Sequence, residues 1–192
     1  MTSRSLTLLN GDGRIRELRH WTAWLSEVPA IRRKFCQWSE DFDAFHSNEA
    51  ASVAVLANAA AKAGYLAHTE YVALKRHVTR GRPFRQGRCD LWIADVASSM
   101  SWAFEVKQHF AAKGIRQATF DGRLARALAD AKQVDRDEAD RRVGCLIVAP
   151  RHGTRCDSDL VDRIDELCGS ADVAFRIGSG LGPVWLAFAF VD

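Results

Sequence analysis

Arg88-Cys-Asp-Leu-Trp-Ile-Ala-Asp-Val96 and Ser101-Trp-Ala-Phe-Glu-Val-Lys-Gln108 are two short runs rich in aromatic and β-branched residues, joined by the polar turn Ala97 to Met100. Both read as strands, Cys89 to Val96 and Trp102 to Lys107, meeting across a hairpin. Side chains alternate along a strand, so Glu105 and Lys107 share one face while Trp102, Phe104 and Val106 share the other. Two charges on one face of an apolar strand cost on the order of several kcal/mol if buried alone, so they call for partners or a metal. Asp90, early in the preceding strand, is the natural third member.

Outward from the hairpin, a helix is expected from Ser47, as N-cap, to Gly64, which ends it in the left-handed conformation. Glu49, Val53, Leu56 and Ala60 fall on one face of that helix, whereas Asn48, Ser52 and Lys62 point elsewhere. Glu49 is therefore expected to turn towards the sheet, where Asp90, Glu105 and Lys107 wait. Upstream, Leu18, Trp21, Leu25 and Val28 recur at helical spacing, Pro29 interrupts them, and Ile31, Phe35 and Trp38 continue a stripe flanked by solvated Arg32, Arg33 and Lys34. Further elements are a strand at Tyr65 to Arg76, a loop at Thr79 to Gly87, a helix at Ile115 to Glu138 and a strand at Gly144 to Ala149. A helix at Asp157 to Leu167 and strands at Ala174 to Ile177 and Val184 to Phe190 complete the chain. The order is a helical lead-in over 1–44, αβββαβ over 45–150 and αββ over 151–192. This predicts one α/β domain with a mixed central sheet flanked by helices.

Composition sets the outer bounds. The 192 residues are 47% hydrophobic and 27% charged, a globular profile that excludes disordered and fibrous classes. No apolar stretch approaches the roughly 20 residues of a membrane span. Cys36, Cys89, Cys145, Cys156 and Cys168 include no CxxC pair, which suits reduced thiols in a cytoplasmic setting and argues against structural zinc. The net charge of +3 names no polyanion partner. Locally, however, Lys75, Arg76, Arg80, Arg82, Arg85 and Arg88 form an acid-free basic stretch leading into Asp90, and Phe84 lies among them to stack on a base. A phosphate-binding patch and a merely solvated loop are both compatible with it. Gly178 to Gly182 precedes a strand rather than a helix, so it reads as a hairpin turn and not a phosphate loop. Cys89 lacks the partners of a nucleophile.

Glu49 in a helix, Asp90 in GRCDLW and Glu105-Val106-Lys107 in AFEVKQ together resemble the PD-(D/E)XK nuclease superfamily. The resemblance covers Phe45 to Ala149, with Cys89 standing where the motif has its proline. It implies a restriction-endonuclease-like αβββαβ core with an N-terminal helical extension and a C-terminal αββ addition. It further implies Mg2+ or Mn2+ held by Asp90, Glu105 and the Val106 carbonyl, with Glu49 supporting a second metal or a water. Such hard oxygen donors suit magnesium, and Lys107 would orient water and offset developing phosphate charge. In that superfamily the following helix often lends polar groups, which Lys132 or Gln133 could supply here, with ordinary surface positions the favoured reading of both. The implied function is a metal-dependent hydrolase, a nuclease cutting phosphodiester bonds, with DNA endonuclease first and RNase as alternative. Mobile elements, phages and defence systems use compact nucleases of this kind. With no separate recognition domain, specificity falls to loops, the basic N-terminal helices, a homodimer or a partner protein. The rival reading is a catalytically inactive module of the same fold that binds nucleic acid or a protein partner.

Overall fold

The structure, a computed structural model, describes residues 6–40, 42–76, 84–151, 154, 156–178 and 182–191. Pro29 opens a helix instead of closing one. Helix α1 spans Glu17–Leu25 and α2 spans Val28–Trp38, with the proline in the first turn of α2, where its missing N–H leaves no broken bond. Trp21, Trp24, Leu25 and Val28 are buried. The α2 stripe runs out before Trp38, which is 90% exposed. Arg32, expected on a solvated flank, is instead fully buried: its Nε donates to Asp43 Oδ2 at 3.0 Å and its Nη2 to the Gly182 carbonyl at 3.0 Å. A guanidinium tolerates that position because a carboxylate and carbonyls take up its donors. Arg33 and Lys34 are exposed, as expected.

Helix α3 spans Glu49–Lys62 and starts one residue later than Ser47 would have it, because Asn48 is the cap and accepts from Ala51 N at 2.8 Å. Past its end Gly64 has φ +92°, the left-handed stop. Val53, Leu56 and Ala60 are buried; so is Ser52, contrary to the face assigned to it, because its hydroxyl binds Gln108.

Seven strands form one sheet: β1 (Leu6–Asn10), β2 (Leu66–Arg76), β3 (Phe84–Asp95), β4 (Met100–Ala111), β5 (Arg141–Pro150), β6 (Val173–Ile177) and β7 (Val184–Phe190), in the spatial order β1-β6-β7-β5-β4-β3-β2. β1 is an addition to the sequence reading, an edge strand antiparallel to β6. β4 and β5 run parallel, joined through helix α4 (Gln117–Ala131), and the other pairs run antiparallel. Helices α1 to α3 cover one face, packing Trp21, Trp24 and Leu56 on Phe104 and Val106. Helices α4 and α5 (Ser158–Leu167) cover the other, where Phe120, Leu124 and Ile164 meet Leu146 and Trp185. The fold is thus α/β, a mixed seven-stranded sheet flanked by helices. Among the described residues no helix is long and apolar enough to cross a membrane.

Two expected boundaries move furthest. β3 begins at Phe84, so Phe84, Arg85 and Arg88 lie in a strand and not in a loop. α4 ends at Ala131 rather than near Glu138, because the chain beyond it turns to cover the edge of β2: Val134 bridges Lys75, Arg76 N donates to the Gln133 carbonyl at 2.6 Å and Asp135 N to the Leu74 carbonyl at 2.8 Å. An edge strand gains backbone partners that a longer helix would withhold. α4 itself lies hard against β5. A Cβ on Gly144 would stand 2.4 Å from Leu128 N, so only glycine permits that approach. Gly182, at φ +97°, leads into β7 as a hairpin residue should, while 179–181 and His152 lie outside the described residues.

Candidate active site

The ladder between β3 and β4 runs from Asp95 opposite Met100 to Leu91 opposite Phe104 and then stops. Beyond it β3 continues beside β2 as far as Phe84, whereas β4 continues beside β5 to Ala111. The parting removes the strand that would have bonded the next β4 amides, and buried amides need acceptors. Two carboxylates supply them. Val106 N donates to Asp90 Oδ2 at 2.6 Å, and Gln108 N donates to Glu49 Oε2 at 2.9 Å. The Gln108 side chain completes the clamp, accepting from Ser52 Oγ at 2.9 Å and donating to the Phe45 carbonyl at 2.7 Å, which fixes the start of α3 against β4.

Glu105 and Lys107 point to the α4 side of β4. Glu105, 4% exposed, accepts from Lys75 Nζ at 2.6 Å. The Lys75 stem crosses Gly87, where an added Cβ would lie 2.8 Å from its Cδ. Lys107 Nζ sits 2.9 Å from Asp130 Oδ2, in the last turn of α4, and 3.0 Å from the Val106 carbonyl. The structure therefore brings Glu49, Asp90, Glu105 and Lys107 to one stretch of β4 and adds two residues. Asp130 takes the place expected of Lys132, which is exposed, and Gln133, whose carbonyl serves Arg76. Its helical spacing from buried Ala127 was the signal available. Lys75 leaves the basic stretch for the site, and its alternation with buried Ala73 was the corresponding sign.

Each charge feels the others. Burial pushes the Glu105 carboxyl up to about 7, against the Lys75 hydrogen bond, and the negative charge of Asp90 adds to the rise. Asp90 is raised by burial, opposed by the Val106 N–H and Lys107. Glu49 is also raised, by burial and then Asp90, with Lys107 pulling the other way. For Lys107, burial disfavours the ammonium, but the Asp130 hydrogen bond and the charges of Asp130, Glu49 and Asp90 outweigh it and hold its pKa above the ordinary value. Cys89 is buried and its thiol is pushed up to about 12, so it is not a nucleophile at neutral pH.

A divalent ion is implied only by the donors. Among the described residues no group of three or more His, Cys, Asp and Glu side chains is gathered to hold a metal. Magnesium, however, uses one or two carboxylates and keeps several waters. Asp90 and Glu105 supply hard oxygens, and the second oxygen of each makes no hydrogen bond among the described residues. The Lys75 ammonium on Glu105 marks where a cation is favoured. By donor chemistry Asp90, Glu105 and the Val106 carbonyl fit, with Glu49 alongside.

The surrounding basic residues diverge. Arg85 is exposed and has no ion pair among the described residues, Arg88 Nη1 lies 3.4 Å from Glu70, and Arg76 Nε lies 3.8 Å from Asp135. Arg80 and Arg82 lie outside the described residues. Glu70, in β2 between Thr69 and Tyr71, which pair with Leu91 and Cys89 on either side of Asp90, has φ +52°, a conformation uncommon for a non-glycine residue and one that gathers near functional sites. No family model, curated protein or solved structure matches the chain.

Proposed function

We propose that the protein is a metal-dependent nuclease of the restriction-endonuclease-like type, hydrolysing phosphodiester bonds in DNA. The observation that carries this reading is the parting of β3 from β4, which collects Glu49, Asp90, Glu105 and Lys107 along one open stretch of strand. The order α3-β2-β3-β4-α4-β5, an antiparallel meander followed by a parallel strand, supports the fold assignment.

A bound Mg2+ or Mn2+ would neutralise phosphate charge and acidify a water. Asp90 and Glu105, with the Val106 carbonyl, are the residues to hold it. Asp90 is fixed by Val106 N–H, so one oxygen is committed to the backbone and the other is left for a ligand. Lys107, kept protonated by Asp130, presents N–H donors where charge develops on phosphorus-bound oxygen. Lys75 brings a second ammonium to the same place. Glu49, held by Gln108 N–H, accepts hydrogen bonds from water entering the site.

Supercoiled plasmid incubated with the full chain and Mn2+ or Mg2+ should be nicked and linearised, and Lys107→Ala should slow this by roughly 10²–10³, the usual loss for one preorganised donor. Wild type inert towards plasmid, single-stranded DNA and RNA with both metals would sink the proposal; cutting RNA alone would change the substrate class. One observation favours the non-catalytic reading: Glu105 already has an internal cation in Lys75. That module would bind nucleic acid without turnover, and Lys107→Ala would leave it indifferent.

A further inference from the structure

Past Lys107, the same face of β4 carries His109, two residues and about 6.6 Å along the strand. It opens on a basin of about 270 Å³ between the end of β4 and the start of α4, lined also by Lys113, Arg116, Thr119 and Arg151. Among the described residues no acidic side chain lines it. Arg151 is placed there by its own backbone, whose N–H donates to the Ala111 carbonyl at 2.7 Å and ties the ends of β4 and β5 together. Lys113 is engaged by Asp157 at 2.5 Å, but Arg116 and Arg151 have no side-chain partner among the described residues, and neither has Arg123, one of the charges acting on His109.

Like charges held together without counter-charge raise each other's energy, and an anion placed among them relieves it. Burial, then Arg123 and Arg151, hold the His109 pKa below its ordinary value, which places both guanidiniums within electrostatic reach of the imidazole. α4 runs back along β4, so Asp130 meets Lys107 at one level and the charge of Arg123 acts on His109 at the next. The repeat along β4 is close to that of successive phosphates on an extended strand.

We propose that this basin is a phosphate-binding subsite, in which Arg116, Arg151 and His109 hold the phosphate group neighbouring the one presented to Lys107. The assignment rests on the nuclease reading for what occupies the Lys107 position, and not for the binding of phosphate itself. It gives the strand a direction across the site: one phosphate at Lys107, the next beyond it towards the start of α4.

The test uses the metal-free full chain in chelator. Binding of a short fluorescent single-stranded DNA is followed by anisotropy for wild type, for Arg116→Gln with Arg151→Gln, and for the charge-matched control Arg14→Gln with Arg33→Gln; all four positions are exposed, and melting curves check that each variant folds. The Arg116/Arg151 variant should bind at least about tenfold more weakly, with the salt slope reduced by about 0.7, one single-strand phosphate contact. Inorganic phosphate should shift the His109 ring resonances of wild type but not of that variant. A 5′-phosphate that tightens wild-type binding assigns the subsite to a terminal phosphate, and equal binding without it assigns an internal phosphodiester. An Arg116/Arg151 variant indistinguishable from the control overturns the subsite. Arg116/Arg151-dependent binding by a protein that cuts nothing leaves the subsite and removes the nuclease reading, whereas cutting by wild type with control-like binding by the variant does the reverse.

Discussion

Glu105 is the residue whose ionisation governs what the site can accept. Its folded pKa, about 7, lies above the ordinary 4.5, so its share of the stability of the metal-free protein is present below about pH 4.5 and is lost as pH rises through 7. A divalent ion needs the ionised carboxylate, so binding must move in the opposite sense. Mn2+ affinity measured by calorimetry should rise by roughly tenfold between pH 6 and pH 8, following the ionised fraction of a group titrating near 7. A flat profile over that range would show that Glu105 takes no part in holding the ion. The four residues read from the sequence do reach one place because two periodicities set their directions, the strand's for Glu105 and Lys107 and the helix's for Glu49. Arg32 and Ser52 escaped those rules. Their directions are set by Asp43, 11 positions away, and Gln108, 56 positions away, and local periodicity carries no information about partners at such separations.

Among elements, α4 decides whether the site is assembled. Helical spacing picks out Leu124, Leu128, Ala131 and Val134 as its stripe, of which Leu124 and Ala131 are buried in the helix, but Val134 lies past its end, because the covering of β2 by the chain after Ala131 is a backbone requirement of another strand. Gly144, which stands beside Glu105 in register, sets how near α4 comes. Gly144→Ala places a Cβ against helix backbone, which cannot rotate away, so α4 must move outward and take Asp130 from Lys107. Overpacking of this kind costs about 1–3 kcal/mol. Thermal denaturation should show that loss, and cleavage should fall further than Gly122→Ala on the same helix, where an added Cβ meets nothing within 4 Å. Equal behaviour of the two variants would mean that α4 adjusts without disturbing the lysine. β1 went unread for a related reason: five residues at an edge make too short a pattern to distinguish, and β6 supplies their identity as a strand.

At the scale of the whole molecule, the lead-in and the closing strands are joined through Arg32. Besides Asp43, its donors reach the carbonyls of Ile177, at the end of β6, and Gly182, before β7. Arg32→Ala leaves the Asp43 carboxylate buried without its cation, a loss of about 3–5 kcal/mol, and chemical denaturation should show the whole chain destabilised rather than α2 alone. An unchanged midpoint would mean that Asp43 finds water or another donor. Residues 45–151 hold all the proposed chemistry, yet Trp21 and Trp24 lie on Phe104 and Phe188 borders the same cluster, so neither flank can be exchanged for a foreign recognition unit without re-engineering the other. On the proposed reading, target choice would diversify more readily by changing exposed side chains in place than by exchanging either flank.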